Sequence, residues 1–172
     1  LEMRRRDRPE TWGLRGSYTP VISRNMRIEV DERVLADGSV RTAVDIDAVK
    51  TAAKELLEAG AEALAIMFVN SYANPENERA ALEAVRAIWP NDHITVSSDI
   101  LPELREFERA STTALNATLQ PVIGRYLQNL ETSLSGAGFK GDILIVQSNG
   151  GVMSVETARE IPVRTALSGP AA

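Results

Sequence analysis

The chain predicts an α/β fold: a mainly parallel sheet flanked by helices, with an N-terminal β-hairpin. Three observations carry this. The run "ALAIMFV" (63–69) is continuously apolar, and "DILIVQ" (142–147) is apolar from Ile143 to Val146, both at strand length, as strands buried on both faces are. Segments of helical period separate the apolar runs. Ahead of them, "MRIEVDERVL" (26–35) alternates apolar and charged residues with a period of two.

In that first segment Ile28, Val30 and Val34 face one way, and Arg27, Glu29, Asp31 and Arg33 the other. Asp37-Gly38 follows, a dipeptide that tolerates the positive φ of a tight hairpin, and residues 39–44 return as the second strand. From Asp47 the period becomes helical through Val49, Ala52, Ala53, Leu56 and Leu57, with Gly60 as C-terminal cap. After the 63–69 strand, Asn74 is an N-cap and Pro75 takes the first helical position. Leu82, Val85, Ile88 and Trp89 form that helix's apolar stripe, and residues 94–97 form a short strand.

A long helix is predicted from about Glu103 to Leu134, with Leu115, Leu119, Val122, Tyr126, Leu130 and Leu134 along its packed side. Pro121 removes the bond to the Ala117 carbonyl and predicts a kink rather than a break, since the stripe resumes in phase. Gly136 and Gly138 end it, the 142–147 strand follows, and residues 154–160 predict a short helix. Residues 1–172 read as a single domain, with no internal repeat.

Composition excludes several function classes. Hydrophobic residues are 44% and charged residues 25% of the chain, an ordinary globular mixture. The net charge of -5 argues against a nucleic-acid surface, and the run Arg4-Arg5-Arg6-Asp7-Arg8 is too short to change that. There is no cysteine and a single histidine, His93, in a helix-to-strand loop, so no zinc constellation can form within the chain. No apolar run approaches the roughly 20 residues of a membrane span. Absence of cysteine suits a reducing, cytoplasmic setting. Neither a Gly-x-Ser-x-Gly elbow nor a Walker A pattern occurs. No catalytic residue and no metal ligand is assigned.

Chemistry is expected beyond the carboxyl ends of the strands. The segments there are Asn70-Ser71-Tyr72, Ser97-Ser98-Asp99 and Gln147-Ser148-Asn149-Gly150-Gly151. The glycines of the last allow close backbone approach to a ligand, and amides at a following helix start favour anions. By itself the segment reads equally as a plain turn. In "LPELREFERASTTALNA" (101–117), Arg109, Ser111, Thr112 and Asn116 belong to a dense donor and acceptor cluster, either a solvated helix face or a cleft wall. Ser168-Gly169-Pro170 is a turn with a free hydroxyl.

Taken together, "ERV…DGSV" (32–40), "FVNSYANPENE" (68–78), "VSSDILPELREFERASTTALNATLQPVIGRYL" (96–127), "QSNGG" (147–151) and "PVRTALSGPAA" (162–172) resemble the ATP-dependent hydantoinase/oxoprolinase family over nearly the whole chain. The resemblance implies a lobe of an actin/Hsp70/sugar-kinase-like ATPase. In that family an Asp-Gly-Gly-Thr phosphate loop precedes this region and a Gly-Gly-Thr loop follows it. Neither occurs in the 172 residues, so the chain is expected to be an internal segment, inactive alone. The resemblance further implies ATP and Mg²⁺ as cofactors of the full-length enzyme, and a cyclic-amide substrate activated by phosphorylation of the lactam oxygen. The implied partners are the remainder of the A subunit and a B-type subunit or domain. The cleft candidates are Arg109, Ser111, Thr112, Asn116, Asn149, Gly150, Gly151, Ser168, Gly169 and Pro170. Two alternatives stay open: the ATP-using β subunit of an acetone- or acetophenone-type carboxylase, and a non-catalytic interaction module on the same fold.

Overall fold

The computed structural model describes residues 20–166 and 168–171. The arginine-rich run 4–8 lies outside the described residues.

The hairpin is present but shorter than its sequence pattern. Strands β1 (Arg33–Val34) and β2 (Val40–Thr42) pair antiparallel, with an irregularity between Arg33 and Val34. Gly38 takes φ +84°, and the Asp37 carboxylate accepts from the Ser39 amide and hydroxyl, closing the turn. Residues 27–32 do not join the ladder, although Val30 still packs against the core.

Helix α1 (Ile46–Glu58) starts where Asp45 accepts hydrogen bonds from the amides of Asp47 and Ala48. It ends at Gly60, with φ +89°. Strands β3 (Leu64–Ile66) and β4 (Ile94–Val96) pair parallel, Leu64 opposite Ile94 and Ile66 opposite Val96. Helix α2 (Glu76–Arg86) crosses between them; its N-cap is Pro75 rather than the expected Asn74, whose side chain, one residue further back, accepts from the Glu76 amide. Val49, Ala53, Leu64, Ile66, Leu82, Val85, Trp89 and Val96 form the main core between these helices and strands. Full burial of one such aliphatic side chain is worth about 1.5–3 kcal/mol.

A short α3 (Ser97–Ile100) leads to α4 (Glu106–Gly136), which touches both β3 and β4 and continues to the C-terminal elements. These are β5 (Leu144–Val146), β6 (Val152–Ser154), α5 (Val155–Glu160), a 3-10 turn at Pro162–Thr165 and α6 (Ser168–Ala171). Leu127 of α4 packs with Met153, Val155 and Ala158 as a second core. The Ser154 hydroxyl caps α5 at the Thr157 amide.

Three sequence expectations are corrected. The sheet is not mainly parallel: the described strands form three two-stranded sheets, and only β3–β4 is parallel. The 142–147 run is not a doubly buried strand. It turns back on itself as the β5–β6 hairpin, because Gln147–Gly151 is a turn short enough to bring the next segment alongside, and Leu144 is 59% exposed. Pro121 does not interrupt α4, as expected, but the packed side of that helix differs from the predicted stripe. Leu115, Val122 and Tyr126 are exposed, whereas Arg109, Thr113, Asn116, Gln120 and Leu127 are buried. The buried set has the same helical spacing, and its polar members displace an apolar stripe because each hydrogen-bonds inside the protein.

Candidate functional site

The carboxyl ends of β3 and β4 open toward the start of α4, the end of an α/β unit where ligands bind. The β3 exit, Phe68–Tyr72, carries Asn70 at φ +60°, a left-handed conformation that asparagine tolerates. The Asn70 amide donates to the Val34 carbonyl at 3.0 Å, tying the exit to the hairpin. Ser71 and Ser97, both buried, have their hydroxyls 3.2 Å apart, joining the two strand exits.

Arg109 is fully buried beneath this end. Its Nη1 donates to the Glu103 carbonyl and its Nη2 to the Phe68 carbonyl, each at 2.9 Å, and its guanidinium stands 5.7 Å from the Tyr72 ring centroid. Its Nε has no hydrogen-bond partner. Asn116, also fully buried, donates through Nδ2 to Thr95 Oγ1 and to the Glu160 carbonyl, both at 3.0 Å, and accepts from the Val163 amide. Gln120 adds bonds to Thr95 and to the same Glu160 carbonyl. Ser111 and Thr112 are half-buried, and the Ser111 hydroxyl is enclosed without a partner.

A second group lies at the β5–β6 turn. Gly150 has φ +83°, its amide donates to the Gln147 carbonyl, and the Asn149 side chain accepts from the Gly151 amide at 2.9 Å. Ser148 donates to the Arg164 carbonyl through both its amide and its hydroxyl. Gln147, Ser148, Asn149 and Arg164 line an open recess of about 350 Å³. Ser168 is half-buried and Gly169 exposed at the start of α6, with Pro170 in its backbone, four to six residues beyond Arg164.

The two groups are joined by hydrogen bonds. From Thr95 on β4 the path runs through Asn116 to Glu160 and Val163, whose turn includes Arg164, and thence to Ser148. Arg109 and Asn116 act inside the protein rather than on an exposed helix face. Asn149, Gly150 and Gly169 are exposed. Sequence reasoning overlooked Glu78, Thr95, Gln120 and Arg164. Glu78 had left a signal: it begins the series Glu78, Leu82, Val85, Trp89 at helical spacing, a charged residue on an apolar stripe.

Two carboxyls have depressed pKa values. The Ser39 hydroxyl, followed by its amide, lowers that of Asp37. For Glu156 the cause is first its own backbone amide and then the Ser154 hydroxyl at the start of α5. Among the described residues no group of three His, Asp or Glu side chains could hold a metal ion. No described helix is long and apolar enough to cross a membrane.

A parallel strand pair with flanking helices, a strand exit tied by buried hydrogen bonds and a glycine turn beside an arginine define an α/β unit. The chain belongs to the hydantoinase/oxoprolinase family: residues 1–89 match its N-terminal region and residues 109–172 match the hydantoinase/oxoprolinase region that follows. It is 34% identical to the caprolactamase subunit alpha of Pseudomonas jessenii over 90% of this chain and 23% of that one. With 5-oxoprolinase of Saccharomyces cerevisiae it shares 33% identity over 74% of this chain and 10% of the enzyme. The crystal structure of the ATP-dependent caprolactamase from Pseudomonas jessenii superposes at a TM-score of 0.77, with 35% identity, over 83% of this chain and 20% of that one. Nucleotide-free acetone carboxylase gives a TM-score of 0.76 at 28% identity, over 91% and 22%. The chain thus spans at most about a quarter of the length of the curated relatives it matches.

Proposed function

We propose that the full-length protein is an ATP-dependent amidohydrolase acting on a cyclic amide, and that this chain supplies one wall of its cleft. The likeness to the caprolactamase, 35% identity at a TM-score of 0.77, carries the reading. ATP would pass its terminal phosphoryl group to the lactam oxygen and leave as ADP. The ring carbon then becomes electrophilic and water adds to it; the C–N bond breaks as the nitrogen takes a proton, leaving an acyl phosphate, and a second water splits that into the carboxylate and free phosphate. Positioning and charge neutralisation supply most of the catalysis in such transfers.

The wall includes the turn Asn149–Gly151 with Ser168, Gly169 and Pro170; Asn116 ties the adjoining Arg164 turn to β4, and Arg109 holds the exit of β3. Arg164, beside the turn, is a cation suited to an anionic ligand. The described residues do not by themselves fit a Mg²⁺ site, so the ion is assigned to the phosphate-binding parts of the full-length enzyme. We place the chain in an actin/Hsp70/sugar-kinase-like lobe, working in the cytoplasm with the rest of its A subunit and a B-type subunit or domain. One observation favours a second reading, the ATP-using subunit of a ketone carboxylase: acetone carboxylase covers 91% of this chain.

The test is ADP release by the full-length protein with its partner subunit. Stimulation by caprolactam, 5-oxoproline or a hydantoin, with ring-opened product, is expected. Stimulation by acetone and bicarbonate alone would establish the carboxylase reading, and no stimulation by either class would favour an interaction module.

A further inference from the structure

Phe68 is held by two buried charged side chains of opposite sign from different helices. Its amide donates to Glu78 Oε1 on α2 at 2.8 Å, and its carbonyl accepts from Arg109 Nη2 on α4 at 2.9 Å. Both side chains are 0% exposed, and neither forms an ion pair with another described residue. Glu78 does more than hold Phe68. Its Oε1 also accepts from the Ser97 hydroxyl at 2.6 Å and its Oε2 from the Ser98 amide at 2.9 Å. One carboxylate therefore fastens the exit of β3 to the exit of β4. Arg109 fastens the same exit to Glu103, ahead of α4, and stacks near Tyr72.

Burying a charge without an opposite charge beside it is costly, and an apolar pair of similar volume would pack this position at less cost. Two such groups converging on one residue are explained when the geometry of that residue's loop matters more than the stability lost. The loop fixed in this way presents Val69, 40% exposed, and Tyr72, whose hydroxyl has no hydrogen-bond partner among the described residues. An apolar surface next to a hydroxyl matches the two faces of a small cyclic amide, a hydrocarbon ring and a polar amide.

We propose that Phe68–Tyr72 is the part of the cleft wall against which the cyclic amide rests, and that Glu78 and Arg109 are positioning residues that set its geometry. The assignment of the cyclic amide rests on the function proposed above; the clamp itself does not.

The experiment uses the full-length protein and two conservative variants, Glu78→Gln and Arg109→Lys. Glutamine presents an N–H where Oε1 or Oε2 now accepts, and lysine cannot reach the Glu103 and Phe68 carbonyls with a planar fork. Hydrogen exchange of the peptide covering 67–73 is expected to accelerate at least tenfold in both variants, while that covering α2 keeps its protection. Unchanged exchange at 67–73 in either variant overturns the clamp, whatever the enzyme's activity. In steady-state kinetics, KM for the cyclic amide should rise at least tenfold with KM for ATP within twofold of wild type. Equal rises in both KM values, or none, overturn the substrate wall. Absence of amide-stimulated ADP release from the wild-type protein rejects the proposed function and the wall with it, and the exchange result still decides the clamp. The variant Val69→Ala, which leaves Glu78 and Arg109 in place, should raise KM for the amide without accelerating exchange.

Discussion

Asp37 shows how a single turn residue carries a measurable electrostatic signature. The Ser39 hydroxyl and amide both donate to its carboxylate, favouring the ionised form. A depressed folded-state pKa contributes stability above the unfolded value, and that contribution is lost as pH falls through the folded value. Ser39→Ala removes the larger cause, so the Asp37 pKa should move up toward 3.8, and an NMR titration of the carboxyl carbon in both proteins reads the shift. Asn116 is the buried counterpart. Replacing it by alanine leaves the Val163 amide without a partner and takes one donor each from the Glu160 carbonyl and from Thr95 Oγ1, which keeps its bond to Gln120. Unsatisfied buried polar groups cost about 1–3 kcal/mol each. Asn116→Ala should lower the unfolding free energy by roughly that amount in a denaturant titration. In the full-length enzyme it should also lower kcat/KM by about tenfold or more, because the tie to the Arg164 turn goes with it.

At the scale of elements, the β5–β6 hairpin separates stability from function. Gly150 is at φ +83°, where a β-carbon costs about 1–2 kcal/mol, and asparagine tolerates the conformation best among residues with side chains. Gly150→Asn should therefore melt close to wild type, and Gly150→Val several degrees lower. If a ligand approaches this backbone, both variants lose activity; if the turn only reverses the chain, the folded fraction of each keeps normal specific activity. Thermal melts and specific activities on the same preparations decide. The long helix α4 carries a different lesson. Its spacing as a helix was legible, and so was its continuity through Pro121. Its buried face was not, because the residues on it are polar and their burial depends on acceptors far along the chain: Phe68 for Arg109, Glu160 for Asn116 and Gln120. Exposed salt bridges such as Arg125–Glu62 add little to this packing.

For the molecule as a whole, two cores meet along one helix. The first holds α1, α2, β3 and β4; the second holds the C-terminal hairpin and α5 against the far half of α4. The polar network of Thr95, Asn116 and Gln120 bridges them, so the turn that carries Arg164 is positioned from β4. This chain spans at most about a quarter of the relatives it matches, and its 172 residues contain no Gly-Gly-Thr sequence. We predict that the purified 172-residue chain does not turn over ATP. Release of labelled phosphate above that of an Arg109→Ala control would refute this.

Sequence by itself determined the α/β class, the order of most elements, the caps and turns, and the family. These depend on neighbours a few residues apart: the Asp37-Gly38 turn, Gly60 and Gly150 at positive φ, and apolar spacing on α1 and α2. Only the tertiary structure decided which strands pair, that the apolar run at 142–147 folds into a hairpin, and which side of α4 is buried. It also decided that Glu78 and Arg109 converge on Phe68, from 10 and 41 residues away. Local rules set φ, ψ and periodicity, but a buried polar group is tolerated only where a distant partner completes its hydrogen bonds, and that partner is chosen by the fold.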